Sequence, residues 1–443
     1  MIKKIFIKSY GCQMNVYDSQ RMFDIMKPEG YHPTNMIEDA NLVVLNTCHI
    51  REKASEKVYS EIGRINKIKN KKKSLKKEYL LVIAGCVAQA EGEAMKIRAP
   101  SIDAIVGPQS FHKLPEILKN IKKRNQTIVK TEFLANKKFD ELIYNNNSNS
   151  SAFVTIQEGC DKFCTFCVVP YTRGSEYSRP INEILKEVKN YTGSGVKEVV
   201  LLGQNVNAYH GNDIDKNERS FSYLINKISE IEKIKRIRYM TSHPLDMHED
   251  LINDHKYNPK LMPFVHMPIQ SGSDKILKSM NRKYNVNEYV EIIDKLINAR
   301  NDIAISSDFI VGFPGETDDD FKKTVELVKK IEFAISYSFS YSSRPGTPAS
   351  KLSNQIERTV KKERLKILQS VLNKQQKKYN KNFIGKSLDV LIEKKGRHKN
   401  QYVGRSIYNQ SVFMNSENNI KGDIIKARID NVTTFALSGN IIN

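Results

Sequence analysis

Short apolar runs alternate with longer amphipathic stretches along the first third of the chain. Lys4–Ser9, Asn41–Asn46 and Tyr79–Ala84 are apolar and lie between turn residues, so each predicts a buried strand. Helical spacing marks Asp18–Lys27, Glu52–Lys69 and Phe111–Lys123. The alternation predicts an α/β domain with a parallel sheet over residues 1–124. The polar run Tyr144–Ser151 has no apolar anchor and predicts a linker, taken as residues 125–151. Strand patterns then return at Phe153–Gln157, Glu198–Gly203, Ile237–Ser242, Pro263–Met267, Ile303–Val311 and Ile335–Tyr341. Helical stretches such as Asn182–Tyr191, Tyr289–Arg300 and Asp318–Ile331 lie between them. Six β/α units in one run predict a full or partial β/α barrel over residues 152–378, closed by a helix carrying Leu365, Leu368, Val371 and Leu372. From Phe383 the helices stop. Five short strand patterns predict a small β-barrel within residues 379–443.

Composition narrows the class. The chain has 443 residues, 40% of them hydrophobic, and a mean hydropathy of −0.50. Its longest apolar candidate, Tyr79–Ala90, is broken by Gly85, so no membrane span is expected. The N-terminal lysines enclose only three apolar residues, too few for a signal-peptide core, which points to the cytoplasm and its reduced thiols. Lys and Arg outnumber Asp and Glu by 71 to 50, a net charge of +21. A Lys/Asn-rich compositional bias and a polyanionic partner explain that excess equally well. The lysine-rich segment Lys67–Lys77 reads as a solvated face or, more sharply, as a nucleic-acid contact.

Six cysteines fall into two triplets. Cys160, Cys164 and Cys167 lie within eight residues, just after the first barrel strand. Three thiols cannot pair into disulfides without a remainder, and zinc would need a distant fourth ligand. Thiolates at such spacing suit an iron–sulfur cluster, and three on a four-iron cluster leave one iron open for chemistry. Cys12, Cys48 and Cys86 each follow a predicted strand. If those strands share one parallel sheet, the three thiols converge at its C-terminal edge; separately, each is an ordinary small buried residue. Other polar residues at strand ends are Gln204, Asn205, His243, Gln270, Ser271 and Glu316, and barrels keep their chemistry there. Any one of them could equally be a turn residue.

The Cys160-Asp-Lys-Phe-Cys164-Thr-Phe-Cys167 motif resembles that of the radical S-adenosylmethionine enzymes. With both triplets, the chain resembles the methylthiotransferase family along essentially its whole length. Carrying stretches are Tyr10-Gly-Cys-Gln-Met-Asn15, Asn46-Thr-Cys-His-Ile-Arg-Glu52, Gly85-Cys-Val-Ala-Gln89, Gln157–Gly174 and Leu202-Gly-Gln-Asn-Val-Asn-Ala-Tyr209. The resemblance implies an auxiliary 4Fe-4S cluster on Cys12, Cys48 and Cys86, and a second cluster on Cys160, Cys164 and Cys167. The second would bind S-adenosylmethionine through its open iron and cleave it to a 5′-deoxyadenosyl radical. The C-terminal barrel would be an RNA-binding TRAM domain.

The nearest resemblance is to members that put a methylthio group on carbon 2 of dimethylallyladenosine beside the tRNA anticodon. Carbon 2 bears no acidic proton, so no acid or base side chain is expected to carry the reaction. The family implies S-adenosylmethionine contacts at Phe166 for the adenine, at Gly203, Gln204 and Asn205 for the methionyl end, at Gln270 and Ser271 for the ribose, and at Ile310 and Gly312 along the adenine. Arg173 and Arg179 would face the cofactor or the RNA, and Glu316 is either a site residue or a helix N-terminal acid. Expected partners are the tRNA anticodon loop and an electron donor such as flavodoxin or ferredoxin, with the chain acting as a monomer. Competing expectations are action on threonylcarbamoyladenosine, and a non-catalytic RNA-binding metalloprotein.

Overall fold

The structure, a computed structural model, describes residues 2–49, 52–124, 126–133, 138–139 and 150–442. It divides into two compact units. The first comprises Met1–Asn145, Gln157–Asp161 and Val168–Arg179; the second comprises Asn146–Ile156, Lys162–Cys167 and Pro180–Asn443. The division expected along the chain is thus crossed twice, by two short segments either side of Lys162–Cys167.

The first unit is built on β1 (Lys3–Ser9), β2 (Tyr31–Pro33), β3 (Leu42–Thr47), β4 (Leu80–Gly85), β5 (Ala104–Val106) and β6 (Ile128–Lys130). They form one parallel sheet in the order β2-β1-β3-β4-β5-β6. Leu42 and Val44 face one apolar layer with Met22 and Phe111, while Val43 and Leu45 face another with Val58 and Ile65. Cover on both faces is why β3 is a continuous apolar run and not an alternating one. Each of its four apolar side chains is fully buried, a contribution of about 1.5–3 kcal/mol apiece. The expected strands at β1, β3 and β4 are present, whereas β2, β5 and β6 are three residues long, too short to show a period. β6 corrects the linker expected over 125–151: the sheet continues into it, and Lys138 and Phe139 are buried. The polar run from Tyr144 lies outside the described residues up to Ser150.

β7 (Ser151–Thr155) opens the second unit, while the short antiparallel pair β8 (Gln157–Glu158) and β9 (Tyr177–Ser178) belongs to the first. The second unit continues with β10 (Glu198–Leu202), β11 (Arg236–Tyr239), β12 (Phe264–His266), β13 (Ala304–Val311) and β14 (Ile335–Ser340). All pairings are parallel, in two sheets ordered β11-β10-β7 and β12-β13-β14. A single bridge, Ile237 to Leu261, joins them. Pro263, just before β12, has no N–H to extend that ladder. The result is a partial β/α barrel. On β13, Ile305, Phe309 and Val311 face the helices in the large apolar core. The opposite face carries Asp308 and Ile310, paired in register with Tyr337 and Phe339 of β14.

β15 (Ser387–Lys395), β16 (Gln401–Ser406), β17 (Ser411–Asn415), β18 (Ile424–Val432) and β19 (Ala436–Ile441) close into a small barrel ordered β15-β16-β17-β19-β18. Val390, Ile392, Val412, Ala427 and Leu437 fill it. The helix Arg358–Lys381 leads to it from the other end of the β/α barrel. Arg364 pairs at 2.7 Å with Glu316 beyond the C-terminal end of β13, while Tyr379 packs near Ala304 and Ile335, where β13 and β14 begin. The small barrel is tied to those N-terminal strand ends: Arg236 donates to Arg405 O at 3.0 Å, Arg238 to Asn409 Oδ1 at 2.7 Å, and Tyr408 to Asp302 at 2.9 Å.

His255, on the helix Glu249–Tyr257, is fully buried with Nε2 2.7 Å from the Tyr239 hydroxyl. Burial, and then Arg300, push its pKa down to about 3. The unfolded chain therefore binds the extra proton below about pH 6.5, and stability falls as pH drops from there toward 3, by up to ~1.4 kcal/mol per pH unit. The variant His255→Gln should show a shallower loss of urea midpoint between about pH 6 and pH 4 than the wild type. Parallel profiles for the two proteins would contradict this origin of acid sensitivity.

Candidate functional site

The first cysteine triplet is placed by register. Ser9 pairs with Asn46, Asn46 with Ala84, and Thr47 with Gly85, so the ends of β1, β3 and β4 are level. Cys48 follows β3 directly. Cys86 follows β4 and opens the helix Cys86–Arg98, and Cys12 caps the helix Gln13–Met26. Two glycines make the approach possible. Gly11 has φ +108° and a Cβ there would lie 2.1 Å from that of Cys48; Gly85 has φ +90° and its Cβ would lie 2.4 Å from Thr47 O. Asn15 Nδ2 donates to Asn46 Oδ1 at 3.0 Å and to Thr47 O at 2.9 Å, and Asn46 Nδ2 returns a bond to Asn15 O at 2.8 Å. This buried knot fastens the Cys12 turn to the strand end that carries Cys48. None of the three forms a disulfide. A hydrogen bond from Cys48, then the Arg173 guanidinium, draw the Cys12 thiol down to about 6 against burial, whereas burial pushes the Cys86 thiol up.

Arg173 belongs to a closed ring of four buried charges. Its Nη2 donates to Asp18 and its Nη1 to Glu158, both at 2.8 Å; Lys138 Nζ bonds the same two acids at 3.0 and 2.7 Å. Two cations and two anions cancel, and every member is essentially inaccessible to solvent. Sequence reading turned Arg173 and Arg179 toward cofactor or RNA; the structure corrects the RNA alternative. Arg173 lies inside the protein near Cys12 and Cys86, and Arg179 is fully buried over the Phe139 ring at 4.7 Å. Asp18, Lys138 and Glu158 were missed. Nothing local marked them: Asp18 lies between Tyr17 and Ser19, Lys138 follows Lys137, and Glu158 lies between Gln157 and Gly159, so each reads as an ordinary surface charge.

In the second unit, the loop Lys162–Cys167 is strapped from behind by Ser279–Arg282. Thr165 donates through N to Met280 O at 3.0 Å and through Oγ1 to Ser279 O at 2.8 Å. Asn281 Nδ2 donates to Lys162 O at 3.2 Å and to Phe163 O at 3.0 Å, holding Phe163 at φ +49°. Arg282 Nη1 reaches Cys164 Sγ at 3.6 Å. Lys162 pairs with Asp246 at 2.7 Å, and Asp246 accepts from Asn205 Nδ2 at 2.8 Å. The polar chain joins the cysteine loop to the ends of β10 and β11. Sequence reading included Asn205 but missed Asp246, Asn281 and Arg282.

The other expected cofactor positions divide. Phe166 and Ile310 come together in one apolar cluster with Ile276, Met280, Phe313 and Tyr341. Gly203 follows β10 directly, buried, with its carbonyl accepting from Thr241 at 2.7 Å, and Gln204 beside it is half-buried. Gln270 sits at φ +79° and is stitched to β13 through Asp308 O and the Ile310 N–H. Ser271 is fully buried, its hydroxyl engaged with Thr324 and the Ser273 N–H. The Gly312 N–H is spent on Glu316 Oε1 at 2.9 Å. Glu316 is not the helix N-terminal acid expected: it precedes the N-cap Thr317 of the helix Asp318–Ile331, and its buried carboxylate is held by the Gly312 N–H and Arg364.

Losing Arg173 leaves two buried carboxylates to share one cation. The variant Arg173→Gln should cost about 3–5 kcal/mol, visible as a lower thermal midpoint, and Lys138→Met should act in the same direction. The double variant should lose less than the two single losses combined, because the four charges act together. Strict additivity would dissolve the ring as an energetic unit.

Residues 154–328 match the family model of the radical SAM superfamily, residues 4–107 that of Uncharacterized protein family UPF0004, and residues 381–442 that of the TRAM domain. The tRNA-2-methylthio-N(6)-dimethylallyladenosine synthase of Rickettsia bellii (strain OSU 85-389) is 49% identical over 446 residues, covering all of both chains. That of Wolbachia pipientis subsp. Culex pipiens (strain wPip) is 53% identical over 433 residues, 97% of each chain. Among solved structures, the radical S-adenosylmethionine methyltransferase TsrM from Kitasatospora setae, with cobalamin and a 4Fe-4S cluster bound, superposes with a TM-score of 0.57. It shares 11% identity and covers 79% of this chain and 74% of its own. The cobalamin-dependent radical enzyme OxsB gives a TM-score of 0.53, also at 11% identity, over 84% of this chain and 56% of its own. At that identity both speak for the fold alone. Relatives about half identical from end to end settle the matter: the chain belongs to the methylthiotransferase family of radical S-adenosylmethionine enzymes.

Proposed function

We propose that this protein methylthiolates carbon 2 of an N6-dimethylallyladenosine in tRNA, using S-adenosylmethionine and two 4Fe-4S clusters. The observation that carries the reading is full-length identity of about one half to synthases named for that product. Each cysteine triplet supplies the three thiolates that one cluster would take. Among the described residues no three His, Cys, Asp or Glu side chains gather tightly enough for one metal ion. A cubane asks for something different, since each thiolate binds its own iron and the sulfurs stand apart. Cys12, Cys48 and Cys86 would hold the auxiliary cluster, and Cys160, Cys164 and Cys167 the one that binds S-adenosylmethionine. When bound, these groups supply the radical and sulfur chemistry that no side chain here provides.

The chain's own residues bind and orient. Asn15 and Asn46 set the height of two thiols, and the Ser279–Arg282 strap fixes the loop of Cys164. Phe166 and Ile310 offer apolar contact for an adenine, and Asn205 and Asp246 tie the cysteine loop to the ends of β10 and β11 through Lys162. Tyr337 and Phe339 leave nearly half their surface exposed, 48% and 45%, on the same face of the sheet as Ile310. Exposed aromatics there suit a flipped base with an apolar substituent. The net charge of +21 and the exposed basic turn at Lys394, Lys395, Arg397 and Lys399 support binding to RNA phosphates. The proposal includes a monomer fed by a flavodoxin- or ferredoxin-type donor. No helix among the described residues is long and apolar enough to cross a membrane.

Anaerobically reconstituted protein should contain about eight irons per chain, falling to about four when either cysteine triplet is changed to Ala. Cys164→Ala should abolish S-adenosylmethionine cleavage, while Cys48→Ala should spare cleavage and lose the methylthio product. Product formed by Cys48→Ala would remove the first triplet from sulfur insertion. Nucleoside mass spectrometry on tRNAs carrying dimethylallyl or threonylcarbamoyl adenosine decides the substrate: conversion of the second alone would overturn this reading. Phe339→Ala should weaken preference for the dimethylallyl over the unmodified RNA about tenfold, as expected when a prenyl group loses its wall.

A further inference from the structure

Arg282 is a buried cation without a buried acid. It stands in the connection between the helices Asp274–Ser279 and Val286–Ala299 and is only 7% exposed. Nη2 donates to Pro268 O at 2.6 Å and Nε to the Tyr284 hydroxyl at 2.7 Å, both neutral acceptors. Nη1 is directed at Cys164 Sγ, 3.6 Å away. Among the described residues no carboxylate stands within ion-pair distance of this guanidinium. Burial of an uncompensated charge is costly enough that proteins pair or neutralise it, and arginine cannot neutralise itself. Within its contacts, the group able to bear the matching charge is the Cys164 sulfur, as thiolate. Arg173 is the contrast: it too lies near cysteines, but Asp18 and Glu158 already cancel it.

We propose that Arg282 is the counter-charge of the Cys164 thiolate and raises the reduction potential of the iron–sulfur cluster that this thiolate helps to hold. The proposal rests on the cluster reading given above. Charge and hydrogen bonds at the sulfurs set cluster potentials. One-electron reduction by a low-potential donor adds a negative charge to the cluster and breaks no bond in the protein. A fixed positive donor on one sulfur therefore favours the reduced state. Held by Pro268 and Tyr284, the guanidinium does this without reorganising. Arg282 is thus a positioning residue: it acts through Cys164 on the cluster and needs no contact with substrate.

The test uses the full-length chain with Cys12, Cys48 and Cys86 changed to Ala, so that one cluster remains, and compares Arg282, Arg282→Gln and Arg282→Lys. Iron content is measured first, then the midpoint potential by dithionite titration followed by electron paramagnetic resonance. Arg282→Gln should lower the reduced-to-oxidised ratio at fixed potential by about tenfold, a shift of about 59 mV for one electron. Arg282→Lys should recover more than half of it. If Gln loses the iron while Lys keeps it, the counter-charge is confirmed in a stronger form. Unchanged potential in Arg282→Gln at full iron content would overturn the proposal, as would equal iron loss in both variants. Absence of iron from the parent with Arg282 intact would instead overturn the cluster reading itself.

Discussion

A parallel sheet sends all its strand ends to one edge, and the chemistry of this protein follows from that constraint. A strand leaving such an edge has no partner for its last backbone groups, so the connecting residues must turn, cap or bind something. In the first unit β1, β3 and β4 are adjacent and level, because Asn46 is opposite both Ser9 and Ala84. Three cysteines separated by more than thirty residues along the chain are thereby delivered to one place. In the second unit the same constraint lines up the residues after β10, β11, β12 and β13, where Asn205, Asp246, Gln270 and Gly312 are found. The apolar cores on either side of each sheet hold the edge still, while the loops supply the donors.

Burying charge beside sulfur is the second theme, and the protein handles it in two ways. Around Arg173, acids and bases alternate so that the ring as a whole is neutral, and each carboxylate accepts from both cations. Such a ring gives little net stabilisation over an apolar core of the same volume, but it penalises the loss of any member. It therefore serves as a geometric lock more than as a source of stability, and what it locks is the surroundings of Cys12 and Cys86. Arg282 has no such ring. Its neutral acceptors fix the direction of the guanidinium and leave its charge for the sulfur at 3.6 Å. Two arginines of similar burial thus present different fields to their cysteines.

Most of the architecture was legible in the sequence because its strong signals are local. β3 and β4 are continuous apolar runs, the helix Asp318–Ile331 begins at a Thr317–Asp320 capping box, and the small barrel has turn residues between every pair of strands. β5 and β6 were not legible: three residues cannot display a period of two, and they are strands because β4 offers them an edge. The cysteines were legible through spacing, and their convergence through the repeated strand-Gly-Cys pattern at Gly11 and Gly85. The partners of those cysteines were not. Asp18, Lys138, Glu158 and Arg173 lie far apart along the chain, and only a folded sheet tells a buried ion pair from a solvated one. Glu316 shows the reverse case, a residue within a functional-looking motif whose carboxylate is occupied by the Gly312 N–H and Arg364.

The placement of the small barrel has a consequence for how RNA contacts can act. The helix Arg358–Lys381 touches Glu316 at the C-terminal rim through Arg364 and reaches the opposite end of the β/α barrel by Tyr379. At 1.5 Å per residue, those fifteen positions span about 22 Å. Arg236, Arg238 and Asp302 fasten the small barrel at that far end. Phosphate contacts made there cannot touch a base held at the rim. On the function proposed above, such contacts contribute affinity and registration of the RNA, a salt-sensitive effect, while discrimination between bases falls to groups nearer the rim such as Ile310 and Phe339. On that reading binding strength and base choice lie toward opposite ends of one folded unit, so substitutions at the two ends should separate KM for the RNA from the choice of nucleoside.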